Sequence, residues 1–261
     1  MKSNVLNSHG RGLTVLTPED PFRFACRSRL DCYTRCCRDI TVFLTPYDII
    51  GVKKALGISS GEFLRSYTET LVSESGLPVV LLKMQDDGAK SCPFVTSRGC
   101  TIYGDRPWAC RIYPLQPEYS KAAEKPGRDY YSVMDVPFCL GFGEDQVTTV
   151  AEWVNTQGVP VYQEMERIFR RITMSRNLQG KKIANRMIQE MVYMAAYDLD
   201  RFRSFVFDST FLRRFEVDPA EIAGIRQDDV ALYRFAVKWL EYGLTGKQAF
   251  EIRPEASVSE V

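Results

Sequence analysis

The residues of this chain best suited to chemistry are its cysteines. All eight lie before residue 140, and the rest of the chain has none. In a reducing compartment such a set indicates metal or redox chemistry, whereas in a small secreted protein an even number would indicate disulfides. The candidate metal ligands are Cys26, Cys32, Cys36, Cys37, Cys92, Cys100, Cys110 and Cys139.

The spacing of the cysteines is typical of thiolate ligands. Four fall between residues 26 and 37, and the other four extend to residue 139. Sulfur ligands converge at about 2.3 Å from the ion, so they usually come from a tight loop together with distant segments. Adjacent cysteines do not easily bind a single ion, so Cys36 and Cys37 are expected to serve two metals or to leave one thiol spare. Eight thiolates therefore allow two four-thiolate sites, or one site with spares.

Other ligand types are scarce. The single histidine, His9, lies in a polar N-terminal segment, which argues against histidine-based zinc sites and Cys–His nucleophile pairs. An alternative interpretation, small buried apolar cysteines, fits one or two of them but not a set confined to one half of the chain. We expect a thiolate site in which four cysteines come within metal-binding distance: Cys36, Cys92, Cys100 and Cys110.

Basic and aromatic residues surround the cysteines. Nearby cations lower thiol pKa values and offset the charge of a thiolate cluster, although any one arginine could instead pair with a surface carboxylate. The arginines concerned are Arg23, Arg27, Arg29, Arg35, Arg38, Arg106 and Arg111. The aromatic residues that could shield a cluster are Phe22, Phe24, Tyr33, Phe43 and Trp108.

The composition limits the class of protein. A hydrophobic fraction of 45% and a charged fraction of 26% are typical of a globular chain. The net charge of +1 predicts no specific nucleic acid and no membrane partner, and we interpret the basic residues between 167 and 186 as a solvated helix face. No apolar run is long enough to span a bilayer, and no secretory signal is visible, so we expect a cytoplasmic location.

The sequence also predicts the elements that position the cysteines. Thr45, Pro46 and Asp48 indicate the capped start of a helix that ends at Gly57, and Ser59 with Glu62 indicates a second helix. Strands are predicted over residues 78–84 and 129–138. Helical periodicity dominates after residue 148, with candidate helices over 148–156, 160–176, 179–208 and 228–243.

These elements predict an α+β fold. We expect residues 22–147 to form a small cysteine-rich metal-binding domain and residues 148–253 to form a helical region packed on it; one integrated domain is the alternative. Residues 1–21 and 254–261 are predicted to be irregular tails.

Several short motifs surround the cysteines: Phe24-Ala25-Cys26, Cys32-Tyr33-Thr34-Arg35-Cys36-Cys37, Leu44-Thr45-Pro46-Tyr47-Asp48, Cys92-Pro93-Phe94, Gly99-Cys100-Thr101-Ile102-Tyr103, Arg106-Pro107-Trp108-Ala109-Cys110-Arg111-Ile112-Tyr113-Pro114 and Cys139-Leu140-Gly141-Phe142-Gly143. These motifs resemble the YkgJ family of cysteine-cluster proteins, described as chelating zinc or iron. The resemblance covers about residues 22–145, although the first two cysteines of the family are usually closer together than Cys26 and Cys32.

The resemblance implies a metal-binding protein, and three hypotheses follow. The first is an iron–sulfur cluster, with 4Fe-4S favoured, that has a redox or cluster-dependent catalytic role. The second is a zinc-binding structural module that docks a protein or peptide partner, since four thiolates suit zinc equally well. The third is a cluster-dependent lysine N-methylase, because flagellin lysine N-methylases carry a similar cysteine motif.

Overall fold

The computed structural model describes residues 4–6, 12–119, 129–134, 136–175 and 183–253. Its strands are β1 Asn4–Leu6, β2 Gly12–Leu16, β3 Pro21–Arg23, β4 Phe43–Leu44, β5 Thr68–Val72, β6 Pro78–Leu82, β7 Val95–Thr96, β8 Gly99–Cys100, β9 Leu115–Pro117, β10 Tyr131–Val133, β11 Val147–Thr149, β12 Phe215–Glu216 and β13 Glu251–Ile252. Its α-helices are α1 Pro46–Leu56, α2 Ser60–Tyr67, α3 Trp108–Ile112, α4 Val150–Thr156, α5 Val159–Thr173, α6 Arg186–Ala196, α7 Leu199–Asp208, α8 Phe211–Arg214, α9 Pro219–Gln227 and α10 Asp229–Thr245.

Helices and small antiparallel sheets occur together, so the predicted α+β class is confirmed. The contacts divide the chain into two compact units. Unit 1 comprises Met1–Ile40 and Met84–Val161, and unit 2 comprises Thr41–Lys83 and Tyr162–Val261. All eight cysteines belong to unit 1. The division into domains at residue 148 stays a prediction.

Unit 1 is built from short strands around one apolar cluster. Strands β1, β2, β10 and β9 form a sheet in that order, β11 pairs with β3, and β7 pairs with β8. All these pairings are antiparallel. The cluster is formed by Leu16, Phe22, Phe24, Ile112, Leu115, Tyr131, Val150, Val154 and Val159.

The N-terminal segment differs from its prediction as an irregular tail. Strand β2 occupies Gly12–Leu16, and it pairs with β10 so that Leu16 lies opposite Tyr131. The β-branched pair Thr14-Val15 suits a strand, but its partner lies more than a hundred residues away, so local sequence gave no sign of the pairing. His9 lies outside the described residues, as do residues 254–261 of the predicted C-terminal tail.

Two helices of unit 2 begin as their capping residues predict. The Thr45 hydroxyl accepts a hydrogen bond from the Asp48 backbone N–H at 3.2 Å, and the Asp48 carboxylate accepts one from the Thr45 N–H at 2.7 Å. Gly57, with a φ of 66°, ends α1 in the left-handed conformation that glycine adopts readily. The Ser59 hydroxyl caps α2 by accepting from the Glu62 N–H. The predicted strand over 78–84 is observed as β6 and pairs with β4 and β5.

The C-terminal half is helical as predicted, but its helices are shorter. The region predicted as one helix over 179–208 contains α6 and α7, which are separated at Tyr197 and Asp198, while residues 176–182 lie outside the described part. Helix α9 lies between the predicted helices over 179–208 and 228–243 and is not among the predicted elements. Asp218 is its N-cap, whose carboxylate accepts from the Ala220 N–H at 2.7 Å, and Pro219 occupies the first helical position. No described helix has the length and apolar character of a membrane span.

A lysine on α1 joins several helices of unit 2. The Lys53 ammonium, whose side chain is 10% exposed, lies 2.8 Å from the Asp200 carboxylate and 3.0 Å from the Asp229 carboxylate. Asp200 also accepts from the Ser60 N–H, and Asp229 pairs with Arg203. Burial raises the pKa of Asp200, but the hydrogen bonds from Lys53 and Ser60 outweigh burial and hold it below the usual value.

We predict that Lys53→Met destabilises unit 2 by about 2 kcal/mol, because it leaves partly buried carboxylates without their cation. The loss should appear as a lower urea midpoint in equilibrium unfolding followed by circular dichroism. Lys54→Met is the matched control: Lys54 is the next residue on the same helix and is exposed, so its change should stay within about 0.5 kcal/mol. Equal unfolding curves for the two variants would contradict the role of Lys53.

Candidate metal centre

The first four cysteines lie in a compact series of turns that we call the cysteine loop, residues 26–37. After Phe24 and Ala25 enter the core, each turn is closed by a backbone hydrogen bond: Leu30 N–H to Arg27 O, Tyr33 N–H to Leu30 O, Arg35 N–H to Cys32 O and Cys37 N–H to Thr34 O. Thr34 is left-handed, with a φ of 64°, and a 3₁₀ turn follows at Arg35–Cys37. The turns keep four thiols on one short stretch of chain.

One edge of the cysteine loop is held by the segment around Cys139. The Ala25 N–H donates to the Gly141 carbonyl at 3.0 Å. The Leu140 N–H donates to the Cys32 sulfur at 3.3 Å. Gly141 has no room for a side chain, because an added Cβ would lie 2.7 Å from the Phe24 ring and 2.9 Å from the Ala25 carbonyl. The close approach of these backbones brings Cys139 next to Cys26 and Cys32.

The other end of the loop is held by the segment that carries Cys92. The Cys92 N–H donates to the Cys37 carbonyl at 2.8 Å, and Arg38 forms an antiparallel bridge with Ser91. The chain then turns, with Val95 N–H donating to Cys92 O, and enters the β7–β8 hairpin, in which Val95 lies opposite Cys100. Cys37, Cys92 and Cys100 thus share one neighbourhood.

Cys110 is positioned by a short helix. Helix α3 follows Pro107, and the Arg106 guanidinium before it is buried. Arg106 donates to the Tyr103 carbonyl at 2.6 Å and to the Gln157 side-chain oxygen at 2.5 Å. Burial lowers the pKa of Arg106, whereas nearby Cys110 and Cys100 oppose that shift. A buried cation therefore lies beside these two thiols.

The first set of neighbouring thiols surrounds Cys26. Burial raises the pKa of Cys26 to about 11, and the nearby thiols of Cys36, Cys139 and Cys32 contribute to the rise. Cys26 is exposed, while the other three are partly buried. In the absence of a metal, Cys26 therefore favours the protonated form at neutral pH.

The second set surrounds Cys37. The hydrogen bond between Cys37 and Cys36 raises the pKa of Cys37 and lowers that of Cys36, so Cys36 ionises first. Burial raises the pKa of Cys37 further, as do the neighbouring Cys92 and Cys110. Burial and the neighbouring Cys100 raise the pKa of Cys92, whereas backbone N–H groups that point at its sulfur lower it. Cys37 therefore lies near Cys92 and Cys110.

The described residues contain no group of three His, Cys, Asp or Glu side chains that is arranged to hold a metal ion. The expected convergence of Cys36, Cys92, Cys100 and Cys110 is therefore not observed. Protonated thiols gain nothing by converging, because a sulfur ligand must lose its proton to bind a metal. The donor set suits zinc or iron, since both bind thiolates. Binding would require side-chain rotations that bring the sulfur atoms together.

Tyr113 is a polar neighbour of Cys139. Its hydroxyl oxygen is buried and lies beside the Cys139 thiol. Burial raises the pKa of Tyr113, and the hydrogen bond with the Cys139 thiol raises it further, with smaller effects from Cys36 and Cys32. A thiolate at Cys139 would accept a hydrogen bond from this hydroxyl. The sequence analysis had not singled out Tyr113, because only the fold brings it to the cysteines.

Most arginines around the cysteines have structural partners. Arg27 and Arg29 pair with Glu144 at 3.2 and 2.5 Å, and Arg23 pairs with Asp145 at 3.3 Å. These three follow the surface-pair interpretation, although the Glu144 pairs also tie the cysteine loop to the segment after Cys139.

The remaining arginines differ in their roles. Arg35 lies over the Phe138 ring, Arg38 donates to the Ser91 hydroxyl, and Arg111 donates to backbone carbonyls. Arg106 lowers the pKa of two cysteines, Cys26 and Cys100. Arg106 is therefore the best candidate for offsetting thiolate charge.

The aromatic residues divide between the two units. Phe22 and Phe24 lie in the core of unit 1, and Trp108, Cys139 and Phe142 pack against that core. Tyr33 lies against Gly99, which has a φ of 115° and no room for a side chain. Phe43 belongs to unit 2 and is 58% exposed, so it is not part of this apolar cluster.

We predict that Gly141→Ala loosens the segment of Cys139 from the cysteine loop and destabilises the protein by about 1–3 kcal/mol, as overpacking generally does. Metal content after purification should fall with it. Gly143→Ala is the control, because an added Cβ there meets no atom within 4 Å. Plasma emission spectrometry and urea unfolding measure the two effects, and identical behaviour of both variants would show that this packing does not support the site.

Comparison with known proteins agrees with this arrangement. A family model named CxxCxxCC, described as a putative zinc- or iron-chelating domain, matches residues 25–131. The match includes every cysteine except Cys139 and confirms the resemblance to a cysteine-cluster family. No curated protein and no solved structure matches the chain. The description of the family supports metal binding in general. Residues 25–131 of this chain are therefore similar to the CxxCxxCC family, described as a putative zinc- or iron-chelating domain.

Proposed function

We propose that the protein holds an iron–sulfur cluster through cysteine thiolates and has a redox role. The proposal rests on the donor set. The cysteines are neighbours within one compact unit, and backbone N–H groups point at several of their sulfur atoms. N–H groups reach the sulfur atoms of Cys32, Cys92 and Cys100. Hydrogen bonds of this kind, together with solvent exposure, set the reduction potential of a cluster.

The apolar cluster of unit 1 supports iron–sulfur chemistry in a second way. Cys139 packs against a core that contains Phe24, and Phe24 contacts Phe142 and Trp153 with ring centroids 5.1 and 5.3 Å apart. Such a shell limits water at one side of a metal site and alters its local dielectric, which affects reduction potential. A zinc ion undergoes no redox change, so this shell would have no comparable effect on it.

Part of the candidate site is open to solvent. Cys26 and Cys110 are exposed, so a metal held by either would lie near the surface. Electrons could then pass to or from a protein partner bound there. None of the eight cysteines, which all lie in the described part of the chain, forms a disulfide, a state that the reducing cytoplasm preserves. We therefore place the protein in the cytoplasm, with an unidentified redox partner.

Spectroscopy of anaerobically purified protein tests the proposal. We predict a brown protein with broad visible absorption that contains iron and acid-labile sulfide in equal amounts and loses its colour on reduction with dithionite. A colourless protein that retains zinc would instead support the structural, partner-docking alternative and would end the iron–sulfur proposal. Zinc-supplemented and iron-supplemented cultures should be compared, so that metal supply does not decide the result.

Tyr113→Phe tests the redox role through the hydrogen bond to sulfur. We predict that the variant keeps its iron content but has a more negative reduction potential, because the reduced, more negatively charged cluster loses a donor. Protein-film voltammetry gives the potential. Tyr242→Phe in unit 2 is the control and should leave the potential unchanged. An unchanged potential in Tyr113→Phe would show that its hydroxyl does not act on the metal.

A further inference from the structure

Arginines gather on the exposed surface of unit 1 beside the cysteines. Arg35 and Arg98 are exposed, and neither forms an ion pair with a carboxylate of the described residues. Arg27 and Arg29 are also exposed, but they share one carboxylate, that of Glu144. Positive charge on this surface therefore exceeds the negative charge that pairs with it.

The segments that contain the cysteines show the same excess in their sequence. Residues 26–37, 92–111 and 138–144 contain all eight cysteines, six arginines and no lysine. Their three carboxylates are Asp31, Asp105 and Glu144, so the segments have a net charge of +3 with the thiols counted as neutral. The whole chain has a net charge of only +1. The basic character of the protein is therefore concentrated beside the cysteines.

The two unpaired arginines both adjoin the candidate metal centre. The Arg35 guanidinium lies over the Phe138 ring at 5.0 Å, one residue before Cys139. The Arg98 carbonyl accepts a hydrogen bond from the Tyr33 hydroxyl of the cysteine loop at 3.4 Å. These contacts place Arg35 at the segment of Cys139 and Arg98 at the cysteine loop.

Exposed apolar side chains lie among the arginines. Tyr103 is 61% exposed, and the Arg106 guanidinium lies 3.9 Å from the centre of its ring. Leu140 is 48% exposed, and its N–H donates to the Cys32 sulfur. Arginine and aromatic residues are enriched at protein–protein interfaces, where lysine is depleted. We define the arginine face as the surface formed by Arg27, Arg29, Arg35, Arg98, Tyr103 and Leu140.

We propose that the arginine face docks an acidic protein that exchanges electrons with the metal centre. The inference rests on the proposed redox function and adds the chemistry of the partner. Carboxylates of the partner pair with the exposed guanidiniums, whose planar geometry suits bidentate contacts, while Tyr103 and Leu140 supply apolar contact. In each encounter one electron leaves the partner's redox group and enters the metal centre. The partner is thereby oxidised by one electron and the centre is reduced by one.

The position of the exposed cysteines suits electron transfer across this face. Cys26 directly precedes Arg27, and both are exposed, as is Cys110. A partner docked on the arginine face would therefore come close to a metal held by these thiols. Arg106 is buried and offsets thiolate charge from inside, so the exposed arginines stay available to the partner.

A nucleic acid fits the arginine face less well than an acidic protein. Interfaces with nucleic acid are much more positively charged than interfaces between proteins, whereas this chain has a net charge of only +1. Asp31 is exposed in the cysteine loop, among the arginines. It would repel a continuous phosphate backbone, whereas a protein can place single carboxylates opposite single guanidiniums.

The test is electron transfer to the full-length protein, purified anaerobically with its metal, from a reduced flavodoxin, which is a small acidic one-electron carrier. Stopped-flow absorbance gives the second-order rate constant at a series of salt concentrations. We expect the rate constant to fall about tenfold from low to physiological salt, because salt screens electrostatic steering. The double variant Arg35→Gln/Arg98→Gln should react about three- to tenfold more slowly than wild type at low salt and equally fast at high salt.

The matched control is the double variant Arg201→Gln/Arg213→Gln. It removes the same charge from exposed arginines of unit 2, so its rate constants should equal those of wild type. Iron content and far-UV circular dichroism should agree among the three proteins, which separates a loss of docking from a loss of the metal centre or of the fold.

Three results would overturn the inference although the metal centre is redox-active. The first is a rate constant that does not depend on salt or is the same in wild type and Arg35→Gln/Arg98→Gln. The second is no reaction with flavodoxin although dithionite reduces the centre. The third is tight binding of a fluorescent DNA oligonucleotide that Arg35→Gln/Arg98→Gln abolishes, which would indicate a nucleic-acid surface.

A protein without a redox-active metal would instead refute the proposed function, and the arginine face can be tested separately. Metal-free protein would be treated with dithiobis(nitrobenzoate), a dianionic thiol reagent, and with dithiodipyridine, a neutral one. Excess positive charge should favour the anionic reagent at the exposed thiols, and Arg35→Gln/Arg98→Gln should lower the ratio of the two rates. An unchanged ratio would refute the arginine face itself.

Discussion

Backbone hydrogen bonds at the two ends of the cysteine loop hold the candidate site together. The bond from Ala25 to Gly141 fixes its start, and the bond from Cys92 to Cys37 fixes its end. These bonds join segments that are far apart in sequence, and each brings further thiols to the loop. The core around Phe24 and the small residue at Gly141 allow the first approach, because no side chain intervenes. Loss of the first bond would release the segment of Cys139 from the loop, and loss of the second would release the segment of Cys92.

Metal binding and stability are expected to be closely linked in this region. Burial raises the pKa of several thiols and keeps them protonated. The cysteines therefore lie close together, and most of them form no bond to one another. Structural metal sites contribute about 10–16 kcal/mol in zinc-finger peptides, which is comparable with the whole stability of a domain. Unit 1 has short strands and loops around a modest apolar cluster. A bound metal would therefore account for a large share of its stability.

Local sequence was sufficient to predict some features of the fold and the site but not others. Thr45, Pro46, Asp48 and Gly57 predicted α1 because capping depends on residues within a few positions. The cysteine pattern predicted the family, since it is carried by short motifs. Strand β2 and the neighbours of Tyr113 could not be predicted, because both depend on segments that only the folded chain brings together.

The identity of the ligand atoms is the central claim, and X-ray absorption spectroscopy measures it most directly. The full-length protein, purified anaerobically with its native metal, would be examined at both the iron and zinc edges. The account predicts a first shell composed only of sulfur, at about 2.3 Å for either metal. A first shell with nitrogen or oxygen atoms in the majority would contradict thiolate binding and with it the assignment of the cysteines as ligands.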